Sequence, residues 1–260
     1  MIEYLAYSAP LTILWLTLAV ATYVCIALGS AIRRRFALKA GEPEEKALNV
    51  AHGAIFVLAG LILGFSFSYA STRFDARRLL IVDEANAIGT TYLRASNLPA
   101  STADKFRTIL REYAQARLGI YSHVTEPAIR QVMEHKSIAM QDVLWSILVA
   151  TELGDTRNVQ FGLLTQALNN MIDVSARQSA ALQSRLPIVM LVLVLVVSFV
   201  AATLVGLHFE RMRGLPGFLG LIVALLFATV ITTVVDLDRP QAGLVRVSLR
   251  PLQMQVQQMR

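Results

Sequence analysis

Formal charge is scarce in this chain of 260 residues: Asp, Glu, Lys and Arg together make up 16% of it, whereas 55% is hydrophobic. So little charge cannot solvate the surface of a soluble protein of this length, and the composition therefore predicts a membrane protein. Glycine and proline, at 14 and 8 residues, are too few for a collagen-like or low-complexity chain. The single cysteine, Cys25, excludes an intrachain disulfide.

A basic patch interleaved with aromatic residues is also missing. The net charge is +6, but Arg and Lys stand between apolar stretches, where they act as markers of membrane topology. We therefore expect the lipid bilayer, and no nucleic acid, among the partners.

Sequence signatures of catalysis are absent as well. The chain contains no Walker loop and no GxSxG, HExxH or CxxC motif, and its four histidines are scattered. His123 and His135 match no familiar pattern of metal ligands. His52 lies in an apolar stretch, and we interpret it as a residue near a helix end at the membrane interface. The sequence predicts no enzyme, no cofactor and no metal site.

Four stretches contain no formally charged residue, and each exceeds the roughly 20 residues that a helix needs to cross about 30 Å of hydrocarbon. We place transmembrane helices near 10–32, 48–72, 187–207 and 215–236. Arg33-Arg34-Arg35 follows the first of them as a stop signal, so we expect this helix to be retained rather than cleaved as a signal peptide.

A charged insert, residues 73–185, separates the second span from the third and holds 13 Arg or Lys and 11 of the 18 acidic residues. Its apolar residues recur at helical spacing, as in Phe106, Leu110 and Tyr113, which predicts three or four long helices and no strand. The expected fold is an all-α integral membrane protein with four transmembrane helices per subunit and a long helical extramembrane insert.

The chain accordingly divides into four predicted domains. A first transmembrane pair occupies 1–72, the insert 73–185, a second transmembrane pair 186–238 and a tail 239–260. Apolar and polar residues alternate from Leu244 to Arg250, and this pattern predicts a tail that packs on the insert.

Positive charge in short loops indicates orientation. The connectors 33–46 and 208–214 carry seven Arg or Lys residues, which favours a cytoplasmic side for the connectors and an outer, periplasmic side for the insert. Arg239, Arg246 and Arg250 in the tail lie on the insert's side and point to the opposite orientation, so both stay open.

The second span is predicted to continue into the insert. No proline occurs from Val50 to Leu98, and a helix of about 45 residues would be almost 70 Å long. Such a helix extends well beyond a bilayer, so the insert would be a stalk built on it.

The join between the second span and the insert carries the most specific motif. Gly64 and Phe65 are followed, without a turn between, by Thr72, Arg73 and Phe74. This arrangement resembles the signature of the bestrophin anion channels. The likeness to true bestrophins covers about a dozen residues and the order of the elements.

Two further stretches, Leu80–Arg94 and Asp236–Pro240, resemble a bacterial family called bestrophin-like, and this likeness extends over essentially the whole chain. The resemblance implies a homopentameric ion channel in a bacterial inner membrane. It would conduct inorganic ions, chloride in the case of the anion channels, through a pore lined by the second helix of each subunit.

The resemblance also implies a hydrophobic neck in that pore, formed by Val57, Leu61 and Phe65. All three are apolar, as the family pattern requires. Bestrophins gated by calcium carry a dense acidic cluster after the fourth helix, where this chain has only Asp236 and Asp238. Calcium gating through such a cluster is therefore not expected.

At about 100° per residue, the neck residues begin a stripe along the long helix that changes from apolar to hydroxyl and then to carboxylate side chains. The candidates for the pore mouth and for ion selectivity are Ser68, Thr72, Arg73, Asp75, Asp83 and Asn86. Rings of carboxylates would favour cations, whereas Arg73 turned toward the axis would favour anions.

Other charged residues are expected to form ion pairs between helices or between subunits. They are Arg77, Arg78, Glu84, Asp236, Asp238 and Arg239. Carboxylates amid apolar residues, such as Glu84, are more often buried partners of arginine than ligands of ions.

Two alternatives stay open at this point. Apolar residues at every fourth position also occur in any transmembrane helix packed in a bundle, without a pore. A membrane sensor whose helical insert detects a ligand would show the same spans, although its connectors are too short to hold an output domain.

Overall fold

The computed structural model describes residues 7, 9–35, 42–123, 126–152, 159–209, 216–239 and 242–259. Helices account for almost all of them, and no strand occurs within these ranges. The predicted all-α fold class is confirmed.

Eight α-helices cover the described ranges. In chain order they are α1 Leu11–Arg35, α2 Glu42–Arg94, α3 Ala100–Ser122, α4 Pro127–Glu152, α5 Val159–Gln183, α6 Ile188–Phe209, α7 Pro216–Asp238 and α8 Arg250–Gln258. A 3-10 turn, Ala95–Asn97, follows α2.

Helices α1, α2, α6 and α7 are long and apolar enough to cross a membrane, at the four predicted places. The chain is therefore an integral, multi-pass membrane protein. Helix α2 is unbroken over 53 residues, as the lack of proline predicted. It begins at Glu42 rather than near 48, because its first turns carry charged residues and so precede the uncharged stretch.

Proline sets most of the helix starts. Pro127 and Pro216 are the first residues of α4 and α7, and Pro99 and Pro187 immediately precede α3 and α6. Proline is well tolerated there because the first N–H groups of a helix have no partner within it. Residues 184–187 interrupt the helical path between α5 and α6, so Pro187 lies at the predicted entry to the third span.

Some residues that bear on membrane orientation lie outside the described ranges. The basic connectors that indicated orientation include residues 36–41 and 210–214, which are among them. The orientation of the insert stays a prediction.

The chain forms two compact units. The membrane unit consists of Met1–Arg73 and Arg185–Arg239, and the insert unit consists of Phe74–Ser184 and Pro240–Arg260. Helix α2 contributes its first part to the membrane unit and its second part to the insert unit.

Small residues bring the helices of the membrane unit together. Helix α1 packs against α6 and α7. A Cβ added to Gly29 of α1 would overlap the carbonyl oxygen of Thr203, and one added to Gly206 of α6 would overlap that of Ile26. The two backbones therefore touch, as van der Waals packing between helices in lipid requires. Beside this crossing, Arg33 donates a hydrogen bond of 2.7 Å to the carbonyl of Leu207.

The insert unit has an ordinary hydrophobic core contributed by four helices and the tail. The largest fully buried apolar side chains are Ile81, Ile88, Phe106, Leu110, Tyr113, Ile120, Leu144, Leu164, Leu168, Met171 and Leu252. From the tail, Val247 and Met259 join this core. Gly89 lets the Gln255 side chain of α8 lie directly on α2, since a Cβ there would come within 2.7 Å of its amide oxygen.

We expect Gly29→Ala to destabilise the protein, because the new methyl group has to displace the backbone of α6. Overpacking of this kind costs about 1–3 kcal/mol. The matched control is Gly162→Ala in α5, where a Cβ meets nothing within 4 Å, and the better helix propensity of alanine should leave stability equal or higher. Thermal unfolding of the purified protein in detergent measures both. Equal midpoints for the two variants would contradict the close crossing.

Candidate pore helix and its anchoring ion pairs

The three predicted neck residues project away from the rest of the chain. Val57, Leu61 and Phe65 succeed one another at four-residue intervals on α2, and their side chains are 73%, 51% and 63% exposed. In the native protein, large apolar side chains of a membrane span face lipid, pack against another protein surface or line a lumen.

The face of α2 that packs against the other helices of the membrane unit is narrow and consists of small residues. Ala59, Ser66 and Ala70 are buried on it, about 160° around the helix axis from the neck residues. Ala59 packs with Ala201 of α6 and Phe227 of α7. The neck residues are thus on the uncovered side of the helix.

The predicted pore-mouth residues, Arg73 apart, continue this exposed face. Ser68, Thr72, Asp75, Asp83 and Asn86 are all exposed. The Thr72 hydroxyl donates to the carbonyl of Ser68 at 2.9 Å, so it is satisfied within the helix.

Arg73 lies elsewhere: its guanidinium pairs with the buried carboxylate of Asp238, Nε to Oδ1 at 3.1 Å. The other oxygen, Oδ2, accepts two hydrogen bonds of 2.7 Å, from the hydroxyl of Tyr7 and from the backbone N–H of Leu186. Asp238 therefore holds together α2, the end of α7 and the residues before α6. Burial, together with the Asp238 carboxylate, raises the pKa of Tyr7 well above its usual value, so this phenol stays a donor.

Asp236 and Arg239, beside this carboxylate, are buried too. Burial lowers the pKa of the Arg239 guanidinium, and the charge of Asp236 opposes that shift. The structure places both residues at the end of α7 as members of a buried, mutually compensating set of charges.

The remaining arginines of the predicted ion-pair set lie on α2 in the insert unit. Arg77 is buried and donates to the carbonyls of Ala181 and Ser184, at 3.2 and 2.8 Å. These carbonyls are at the C-terminal end of α5, where a cation is favourable because the last carbonyls lack helical partners. Arg78 is exposed.

Glu84 forms a buried ionic cluster with Arg117 and Tyr121 of α3. One carboxylate oxygen accepts from Arg117 Nε and the other from the Tyr121 hydroxyl, and Arg117 Nη2 lies 3.2 Å from that hydroxyl. Burial disfavours the charge of Arg117, but the adjoining Glu84 carboxylate, together with Tyr121 and Tyr113, raises the pKa of the guanidinium above its usual value. Burial, and then Glu84, raise the pKa of Tyr121 as well.

The partners in these clusters were not predicted from the sequence. Tyr7 gave no signal, because the first residues carry no recognisable pattern. Arg117 and Tyr121 did give one: both lie on the apolar stripe of α3 that contains Tyr113 and Ile120, and an arginine on such a stripe indicates a buried charge that needs a carboxylate.

A polar cleft of about 580 Å³ runs between α2 and α5 in the insert unit. Its walls include Asp83, Asn86 and Arg94 from α2 and Gln166, Asn170 and Arg177 from α5. Amide, carboxylate and guanidinium groups that face one another in this way suit a small polar solute rather than an apolar one.

The chain was compared with known proteins and structures. The family model described as the Bestrophin-like domain matches residues 19–252. No curated protein matches the chain.

Solved structures of bestrophin homologues are similar to the chain over nearly its whole length. Three crystal structures of a bacterial bestrophin homologue from Klebsiella pneumoniae, two of them of point mutants, superpose with TM-scores of 0.71, 0.71 and 0.68 at 12%, 13% and 13% identity. They cover 96%, 97% and 96% of this chain and 98%, 96% and 96% of theirs. At this identity the likeness establishes the fold, with the order of spans and insert predicted from the sequence.

We expect Arg117→Met to destabilise the insert unit strongly, since it leaves the Glu84 carboxylate buried without its cation. Breaking a buried pair in this way costs about 3–5 kcal/mol. The double variant with Glu84→Gln should recover much of the loss because no uncompensated charge is left. Thermal unfolding measures both variants, with Arg78→Met, an exposed arginine, as the control. If Arg117→Met unfolds at the midpoint of Arg78→Met, the buried pair does not hold the insert together.

Proposed function

The chain belongs to the bestrophin-like family, and from this premise we propose that it is an ion channel, a homopentamer whose α2 helices surround a central pore. It has no catalytic role in this proposal. We further propose a bacterial inner membrane as its location and inorganic ions as the permeant species, as the sequence resemblance implies.

One observation carries the proposal: among the four spans, α2 is covered least by its own chain. Only 11% of its most apolar stretch is buried, against 28%, 33% and 39% in the first, third and fourth spans. A helix that is both apolar and uncovered needs a further partner. In a ring of identical subunits, the α2 helices of the two neighbouring subunits would cover its sides. The face opposite the buried stripe then lies along the axis.

The neck would control conduction by dewetting. Rings of Val57, Leu61 and Phe65 side chains form an apolar constriction from which water withdraws when it is narrow, and an ion cannot cross without its water. Each ring is about one helical turn from the next, so the barrier would span about two turns of α2.

The charges on α2 favour cations. Arg73 is held by Asp238 within its own subunit, away from the stripe that carries the neck. The formal charges left on the stripe are those of Asp75 and Asp83, which are exposed. Rings of carboxylates lower the energy of cations and raise that of anions. We therefore propose a cation-selective pore, in contrast to the chloride conduction that the resemblance to anion channels implied.

A second candidate function is a membrane sensor that binds a small polar solute in its insert. The polar cleft between α2 and α5 favours it. Images of single particles viewed along the membrane normal separate the two functions: a five-fold ring with a central hole supports the channel, and a compact two-fold particle supports the sensor.

Leu61→Ala and Phe65→Ala should each raise the current through the purified protein in planar bilayers, since a wider and less apolar neck wets more readily. The control is Leu193→Ala in α6, an equally apolar and exposed span residue outside the stripe, which should conduct as the unaltered protein does. Absence of conductance from a protein that is monomeric or dimeric would overturn the channel proposal.

Asp75→Asn and Asp83→Asn should shift the reversal potential in a salt gradient toward anions, because each removes one charge per subunit from the stripe. We expect the cation-to-anion permeability ratio to fall by about twofold to tenfold, or roughly 0.4–1.4 kcal/mol. Asp142→Asn on the exposed side of α4 is the matched control. An unchanged ratio in both α2 variants, with current still present, would place the selectivity elsewhere.

A further inference from the structure

Two histidines and an asparagine meet at one end of the membrane unit. Asn49 and His52 lie one turn apart on α2, and His208 lies in the last turn of α6. The imidazole rings of the two histidines have centroids 4.4 Å apart, with an angle of 58° between their planes. Residues 156 positions apart in the chain thus bring two metal-ligating side chains into contact.

The hydrogen bonds of His208 determine which of its nitrogens is free to bind. Its Nδ1 lies 3.0 Å from the carbonyl of Leu204, so Nδ1 carries the proton and donates it. In the neutral ring the other nitrogen, Nε2, then presents a lone pair and lies 2.7 Å from Asn49 Oδ1. Both atoms are acceptors, and two acceptors this close repel each other unless they share a cation. A histidine whose Nδ1–H binds a backbone carbonyl has the usual arrangement of a metal ligand.

The neighbouring aromatic residues hold His52 in place. Its ring stacks on Phe56, centroid to centroid 4.7 Å, and Phe56 in turn meets Phe227 of α7 edge to face at 6.3 Å. The Nδ1 atom of His52 is buried and has no hydrogen-bond partner among the described residues. A buried nitrogen without a partner is costly unless something else binds it.

We propose that Asn49, His52 and His208 bind one divalent transition-metal ion of the zinc type. Two ligand atoms on one tetrahedral ion lie about 3.4 Å apart when each is about 2.1 Å from it, so His208 Nε2 and Asn49 Oδ1, which are 2.7 Å apart, would move apart by about 0.7 Å on binding. Two imidazoles on a tetrahedral ion have centroids about 5 Å apart, so the observed rings need only a small adjustment. Water would complete the coordination.

The ligand set also defines which ions are excluded. Imidazole suits zinc, copper and nickel, whereas calcium and magnesium require several oxygen ligands. The three side chains contribute no negative charge, and Arg33 of α1 lies nearby, bound to the carbonyl of Leu207. The affinity is therefore modest and depends on the two nitrogens. The bound ion joins α2 to α6.

Titration calorimetry of Zn²⁺ into the purified full-length protein in detergent tests the site without reference to conduction. We expect one Zn²⁺ per chain and no comparable binding of Mg²⁺. His52→Ala and His208→Ala should each weaken Zn²⁺ binding at least about tenfold, and Asn49→Asp, which supplies a charged oxygen, should tighten it by about tenfold. The control is His135→Ala, an exposed histidine of α4, which should bind Zn²⁺ unchanged.

Thermal unfolding with and without Zn²⁺ distinguishes a variant that has lost the metal site from one that does not fold. Zn²⁺ should raise the midpoint of the unaltered protein and of Asn49→Asp but not that of His208→Ala. Asn49 is exposed, so its variant leaves no cavity and tests the site even if a histidine variant is unstable. No saturable Zn²⁺ binding, an Asn49→Asp variant that binds no tighter, or an equal loss in His135→Ala would each overturn the proposal.

Discussion

The carboxylate of Asp238 fixes the rotation of α2 in the membrane unit. A carboxylate buried away from water has to be surrounded by donors, and here they come from Arg73, Tyr7 and the backbone of Leu186. Because Arg73 has to reach Asp238, the stripe of small residues on the same side of α2 turns inward. The apolar stripe that begins at Val57 turns outward as a consequence. One ion pair thus decides which side chains of this helix face the rest of the chain and which face away from it.

Different physical forces stabilise the interior of each unit. The insert unit buries large aliphatic and aromatic side chains from four helices and the tail, since water drives their association. In the membrane unit lipid is as apolar as leucine, so close backbone contact at Gly29 and Gly206 takes the place of hydrophobic burial. Helix α2 participates in both arrangements, and its composition changes accordingly from alanine, glycine and leucine to arginine and carboxylates.

Patterns of charge and helical period predicted the spans, the unbroken α2 and the helical insert, because these depend on single segments and the solvent around them. The tertiary partners could not be predicted in the same way. Whether Glu84 pairs with Arg77, Arg78 or Arg117 depends on how α3 lies against α2. The periodicity of each helix does not determine this packing. The meeting of His52 with His208 was missed for the same reason: each histidine is unremarkable alone, and only the crossing of α2 and α6 brings them together.

The crossing of α1 and α6 also has a consequence for biosynthesis. Gly29 and Gly206 are separated in the chain by the second span and the whole insert, so their contact cannot form when the first two spans enter the membrane. Helix α1 has to wait in lipid until α6 has been made, with its glycine surface unmatched. The insert, whose helices contact near neighbours in sequence, can fold earlier during synthesis. Its core, however, is completed only when Val247, Leu252 and Met259 of the tail, which follows α7 in the chain, have been added.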